Sequence, residues 1–211
     1  MITVVTPQKL TLSAGTFVKT LGQWKDYEIL IKQRGEKANP RIKYRDGEIL
    51  LMSPLPKHGL EANLIADIIK VLLDYFGKKY EAFTPMTMSL PEISGIEPDY
   101  SFYIHNWQVA VGKDRIDWDN EPSPDLVLEI DVTSYTDIND YLPYKIPEVW
   151  IYKKNQLLIY HLEIGNYVIA NNSLYFPDIE MTKIVTESLE LAQKDTSSVA
   201  INFLRKCFPG A

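Results

Sequence analysis

Apolar and polar positions along the chain recur with two periods. Over residues 16–34, Phe17, Leu21, Trp24 and Ile31 return at roughly helical spacing and Gly35 closes the run, which predicts a helix. RIKYRDGEILLMS, residues 41–53, places two β-prone runs about Asp46-Gly47, a dipeptide suited to a type I′ turn, and predicts a hairpin. SPLPKHG (53–59) is a breaker-rich loop. Beyond it Leu60, Leu64, Ile65, Ile68, Leu72 and Phe76 form an apolar stripe ending at Gly77, the strongest helix signal in the chain. Residues 79–90 and 97–104 read as strands with PEISGI a turn between them, and 105–123 as polar and irregular, with Trp107 and Trp118 covering core. After a strand at 124–132, residues 133–143 read as a polar connection with one helical turn. Residues 146–176 are β-prone segments split by Lys153-Lys154-Asn155 and Gly165-Asn166, an antiparallel meander. A closing helix is capped by Ser197, with Val199, Phe203, Leu204 and Cys207 inward. The pattern predicts a flexible lead-in over 1–14 and one α/β domain over 15–211, with helices flanking a mixed sheet.

One strand stands apart. In PDLVLEIDVTS, residues 124–134, alternation puts Leu126, Leu128, Ile130 and Val132 on one face and Asp125, Val127, Glu129 and Asp131 on the other. Cα atoms two residues apart on a strand are roughly 6.5 Å apart, so Glu129 and Asp131 repel unless water, a proton or a cation relieves them. Two readings stand: a strand with one solvated acidic face, or a site for a hard divalent cation held by oxygens.

Composition narrows the classes. The chain has 211 residues, 45% of them hydrophobic, enough for a sizeable core. A formal charge of −6 argues against a broad basic surface for nucleic acid, though not against a local basic cleft. The single cysteine, Cys207, fits a reducing compartment. MITVVTPQKL lacks the pattern of a signal peptide, and no apolar run approaches the roughly 20 residues of a membrane span. The expectation is a soluble, cytoplasmic protein with no membrane partner.

Most familiar motifs are absent. LVLEID has the look of a Walker B strand, but no G-x-x-x-x-G-K-[ST] accompanies it, and no G-x-S-x-G occurs. His58, His105 and His161 are far apart and read as surface or loop histidines, Cys207 as a small core residue, and Lys153-Lys154 as a solvated turn. What remains is acidic. Asp99 opens one strand, and Glu129 and Asp131 lie on the strand about 30 residues later. On adjacent strands Asp99, Glu129 and Asp131 could hold Mg²⁺ or Mn²⁺, which polarises a phosphate and lowers the pKa of bound water. A nearby lysine would stabilise the charge that develops in the transition state. Glu61, in the first turn of the 60–76 helix, has a bland reading, negative charge favoured by the helix dipole, beside a functional one as a catalytic glutamate.

YRDGEILLMSPLPKHG followed by an amphipathic helix, then EPD opening a strand, PDLVLEI and IPEVWIY, resembles the Uma2 family. These are restriction-endonuclease-like proteins of the PD-(D/E)xK superfamily, abundant in cyanobacteria. The likeness spans roughly residues 15 to 190. It implies a restriction-endonuclease-like mixed sheet flanked by helices, with an N-terminal helix-hairpin extension. It also implies a homodimer and a metal-dependent nuclease acting on DNA. Asp99 of EPD matches the first metal carboxylate, Glu129 the second, and Glu61 a helical glutamate of related nucleases. Asp131 stands where the superfamily lysine would be, and no lysine lies between Glu129 and Lys145. Lys145 is the expected catalytic substitute and Lys57 the other nearby one. Two functions follow: a Mg²⁺-dependent DNA nuclease with an atypical site, or a degenerate relative that keeps the scaffold and binds without cutting.

Overall fold

The computed structural model describes residues 12–131 and 136–210. The expected lead-in falls for the most part outside them, as does Val132. Eleven strands form two sheets among the described residues. The first joins β1 (Phe17–Leu21), β2 (Arg41–Arg45), β3 (Glu48–Met52), β5 (Met88–Leu90) and β6 (Ser94–Ile96) in the order β1-β3-β2-β6-β5. The second joins β4 (Glu81–Phe83), β7 (Tyr100–Tyr103), β8 (Leu126–Ile130), β9 (Glu148–Lys153), β10 (Gln156–Glu163) and β11 (Asn166–Ala170) in the order β11-β10-β9-β8-β7-β4. It is mixed, since β8 and β9 run parallel and its other pairs antiparallel. The α/β architecture with flanking helices is the expected fold class.

The hairpin forms as its sequence dictates. Asp46 and Gly47 both take positive φ, 50° and 78°, and Arg45 pairs with Glu48 across the two-residue turn. Residues 16–34 divide differently from the helical expectation: β1 pairs with β3, and the helix α1 runs only over Trp24–Arg34. Pairing along a free hairpin edge overrides a weak helical period. Residues 79–90 contain two strands in different sheets, and PEISGI contains β6, which pairs with β2.

The long helix α2 (Pro56–Tyr75) packs against the mixed sheet together with α4 (Met181–Lys194) and α5 (Ser197–Cys207); α3 (Trp107–Ala110) is a single short turn. Leu126, Leu128 and Ile130 of β8 join Leu64, Ile68 and Leu72 in this helix-side core. On the other side of the sheet Val127, Val149 and Ile151 pack with Met88 and Ile96 of the first sheet and with Tyr141 and Tyr144 of a 3-10 turn at Ile138–Tyr144. A third cluster, Tyr27, Ile42, Tyr44, Ile49 and Leu51, fixes α1 on the hairpin. The cap of α5 is Thr196, not Ser197, and its inward residues are Ala200, Ile201 and Leu204. Val199, Phe203 and Cys207 are exposed, one position off the expected face. No helix of the described residues is long and apolar enough to cross a membrane.

Candidate functional site

The acidic face of β8 is not solvated. Asp125, Glu129 and Asp131 are all buried, because the first sheet and the 3-10 turn cover that face. Burying three carboxylates is costly unless each finds a donor or a cation. Each finds a different one. Asp125 Oδ2 accepts from the amides of Ile104, His105 and Asn106 at 2.6, 3.0 and 3.2 Å and so fixes the turn after β7. Glu129 Oε1 meets Lys43 Nζ at 2.7 Å, and the Thr136 hydroxyl approaches it at 3.4 Å. Asp131 Oδ2 meets Lys153 Nζ at 2.8 Å, so Lys153 is an ion-pair partner rather than a solvated turn residue.

The cations come from an element that the candidate chemistry had not included. In RIKYR of β2, alternation sends Ile42 and Tyr44 into the hairpin core. It sends Arg41, Lys43 and Arg45 toward the mixed sheet and the 3-10 turn. Arg41 Nη1 lies 2.6 Å from Asp99 Oδ1, Lys43 contacts Glu129, and Arg45 Nη1 lies 2.5 Å from Asp140 Oδ1. Three successive cations of one strand face three carboxylates. The neighbouring Glu97 serves the same join: its carboxylate takes Arg34 Nη1 at 2.5 and 2.7 Å and the Ile42 amide at 2.8 Å.

Asp99 is the most heavily engaged. It is 1% exposed and stands just before β7, where the β7–β8 register carries it beside Glu129. Its Oδ2 accepts from the Ile130 amide at 2.8 Å, and its Oδ1 is shared by Arg41 and by His58 Nε2 at 2.7 Å. Burial pushes the Asp99 carboxyl up, but His58, Arg41 and the Ile130 amide outweigh it and hold the group below the usual carboxylate range. A carboxylate only accepts, so the His58 Nε2 hydrogen points at Asp99 and the 3.4 Å approach of Arg41 to the same nitrogen is contact rather than a hydrogen bond. His58 is wholly buried on α2, not a surface or loop histidine, and its Nδ1 has no hydrogen-bond partner among the described residues. His161 also has an acidic neighbour, Glu148, at 3.0 Å.

Burial lowers the pKa of Lys43, but Glu129 and Asp140 more than offset it, so its ammonium is retained. Asp140 runs the other way: burial raises it despite Lys43 and Arg45. The Tyr141 hydroxyl is raised well above its ordinary value by burial and by the charges of Glu129 and Asp140. Among the described residues Glu129 Oε2 and the Tyr141 hydroxyl are both buried without a hydrogen bond of good geometry, although the hydroxyl interacts with the Glu129 carboxylate. A cavity of about 30 Å³, lined by Arg41, Lys43, Glu129 and Thr136, adjoins the carboxylate, with room for about one water. Thr136 also lines a larger cleft of about 470 Å³ whose walls carry Lys19, Arg45, Asp131 and Lys153.

Of the residues singled out from the sequence, Asp99 and Glu129 are brought onto neighbouring strands. Glu61 is buried on α2, one turn beyond His58 with Lys57 Nζ 3.5 Å away; because the helix starts at Pro56 it lies past the first turn, and the helix dipole does not account for it. Asp131 is drawn off to Lys153. Lys145 sits exposed in the left-handed cap of the 3-10 turn, and the amine on Glu129 is that of Lys43. Among the described residues no three His, Cys, Asp or Glu side chains converge to hold a metal ion. Arg41, Lys43 and His58 were missed. The legible signals were R-x-K-x-R on a hairpin strand, one cationic face, and His58-x-x-Glu61 on one helix face.

None of the curated proteins compared with the chain matches it. Among solved structures, a protein described as "a putative nuclease belonging to DUF820" from Anabaena variabilis matches with a TM-score of 0.53 at 16% identity, over 78% of this chain and 97% of that one. At that identity the likeness is one of fold. The Uma2 family, described as "Putative restriction endonuclease", matches residues 24–193, and the chain belongs to it.

Proposed function

We propose that the protein hydrolyses phosphodiester bonds in DNA at the site formed by Asp99, Glu129 and Lys43. The observation that carries the reading is the ion pair of Lys43 with Glu129. It supplies, from 86 residues earlier, the amine that is missing beside the acidic strand. Among the described residues Glu129 Oε2 has no hydrogen bond of good geometry, with the Tyr141 hydroxyl interacting with the same carboxylate, and this oxygen is the candidate to accept a proton from water. Lys43 and Arg41 stand on the same face of β2, placed to meet negative charge developing on a phosphate. The cleft at Thr136 is the route for the backbone: Lys19, Arg45 and Lys153 line it, each paired with a carboxylate, Glu48, Asp137 and Asp131, whose place a phosphate would take. A homodimer and a cytoplasmic location belong to the same reading.

Mg²⁺ or Mn²⁺ is the cofactor that the resemblance implies. The described residues do not fit such an ion as they stand. Both Asp99 oxygens are engaged, only one Glu129 oxygen is open, and Arg41 and Lys43 share the adjoining cavity. A hard divalent ion needs about six oxygen ligands.

A second reading, a nuclease fold that binds nucleic acid without cutting, is favoured by the double engagement of Asp99 by Arg41 and His58. Conversion of supercoiled plasmid by the purified protein, with Mg²⁺, Mn²⁺ or chelator, separates the two. Under the first reading wild type nicks, and Glu129→Gln and Lys43→Met lose about 10²–10³ in rate. DNA binding by fluorescence anisotropy without nicking selects the second, and neither binding nor nicking removes both.

A further inference from the structure

We infer that Arg41 and Lys43 are built-in competitors for the cation position between Asp99 and Glu129, so that the protein free of nucleic acid excludes divalent metal from that position. Both side chains project from one face of one strand. Arg41 takes Asp99 Oδ1 at 2.6 Å and Lys43 takes Glu129 Oε1 at 2.7 Å. Two cations and two carboxylates balance in a region where the side chains of Asp99 and Glu129 are 0% and 2% exposed. Adding a divalent ion would leave two positive charges uncompensated beside two others, and water cannot screen them there. The ligand supply agrees: among the described residues both Asp99 oxygens and Glu129 Oε1 hold a cation or a donor, Glu129 Oε2 has no hydrogen bond of good geometry while the Tyr141 hydroxyl interacts with the same carboxylate, and the adjoining cavity admits about one water. Entry of a metal therefore requires Arg41, Lys43 or both to leave their carboxylates.

A backbone phosphate carries the negative charge that such a displacement needs. The inference rests on the proposed site but not on its chemistry: nicking tests the reaction, and metal binding to the free protein tests the competition.

The test is Mn²⁺ binding to DNA-free protein, read as loss of the free Mn²⁺ electron paramagnetic resonance signal. Wild type is expected to show no Glu129-dependent binding below about 1 mM, the weak end of oxygen-ligand sites. Arg41→Gln is expected to bind at least about tenfold more tightly, a change of about 1.4 kcal/mol. Arg41→Lys should behave as wild type, and Arg41→Gln with Glu129→Gln should lose the gain. Wild-type binding equal to that of Arg41→Gln and abolished by Glu129→Gln overturns the inference, as does a folded Arg41→Gln protein with no gain. Where Arg41→Gln does not fold, Lys43→Met in the same assay takes its place under the same criteria. Where neither folds, the wild-type titration against Glu129→Gln decides: Glu129-dependent binding below that level overturns the inference, and its absence upholds it.

Discussion

Lys43 Nζ lies 2.7 Å from Glu129 Oε1, joining the hairpin of the first sheet to the central strand of the second across 86 residues of sequence. Both side chains are largely shielded, so each is the other's counter-charge. Removing one partner of such a pair is expected to cost about 3–5 kcal/mol, because the remaining charge is buried alone. Lys43→Met should therefore lower the urea midpoint far more than Lys43→Met combined with Glu129→Met. A single-variant loss below about 1 kcal/mol would show that water reaches the pair.

Asp99 links stability to pH. Its carboxyl is held below the ordinary range, so its contribution is complete above the unfolded value of about 3.9 and is lost as pH falls through the lower folded value. Wild type should lose stability below about pH 4. Asp99→Asn should be less stable at neutral pH yet show a shallower acid slope. Parallel slopes in urea melts across that range would assign the acid sensitivity to other carboxylates.

Gly95 is a packing requirement. A Cβ there would overlap the hydroxyl end of Tyr27, 2.3 Å from both Cζ and Oη, and that ring is itself fixed against Trp24 and Tyr44. Gly95→Ala should cost about 1–3 kcal/mol by overpacking. Tyr27→Leu in the same chain should recover part of the loss, measured by thermal melting; an undiminished melting temperature in Gly95→Ala would mean that α1 shifts freely on the hairpin.

The last helix separates its two faces sharply. Phe203 is 59% exposed and Leu204 4% exposed. Phe203→Ser should change stability by less than about 0.5 kcal/mol, whereas Leu204→Ala should cost about 2–5 kcal/mol. The reverse order in denaturant titration would place Phe203 in an interface within the assembled protein.

The sequence by itself determined the elements whose signals are local. The Asp46-Gly47 hairpin, the middle of the long helix from Leu64 to Leu72, the meander after Lys145 and the alternation of β8 are set by turn chemistry and side-chain period, whereas the helix starts four residues before Leu60, inside the expected loop, and leaves Leu60 and Phe76 exposed. It also named Asp99 and Glu129, because acidic residues at strand ends are visible wherever the strand goes. Whether the acidic face met water or protein was not visible, since burial depends on what covers a strand. The partners were not visible either. The nearest lysine in the chain to Glu129 is not the nearest in space, because β2 reaches β8 only when the two sheets close over Val127, Met88 and Ile96. His58 was unremarkable as a lone histidine and became an Asp99 partner only when α2 packed on the sheet. Local period fixes which way a side chain points along its own strand; only the packing of two sheets decides which charge it meets.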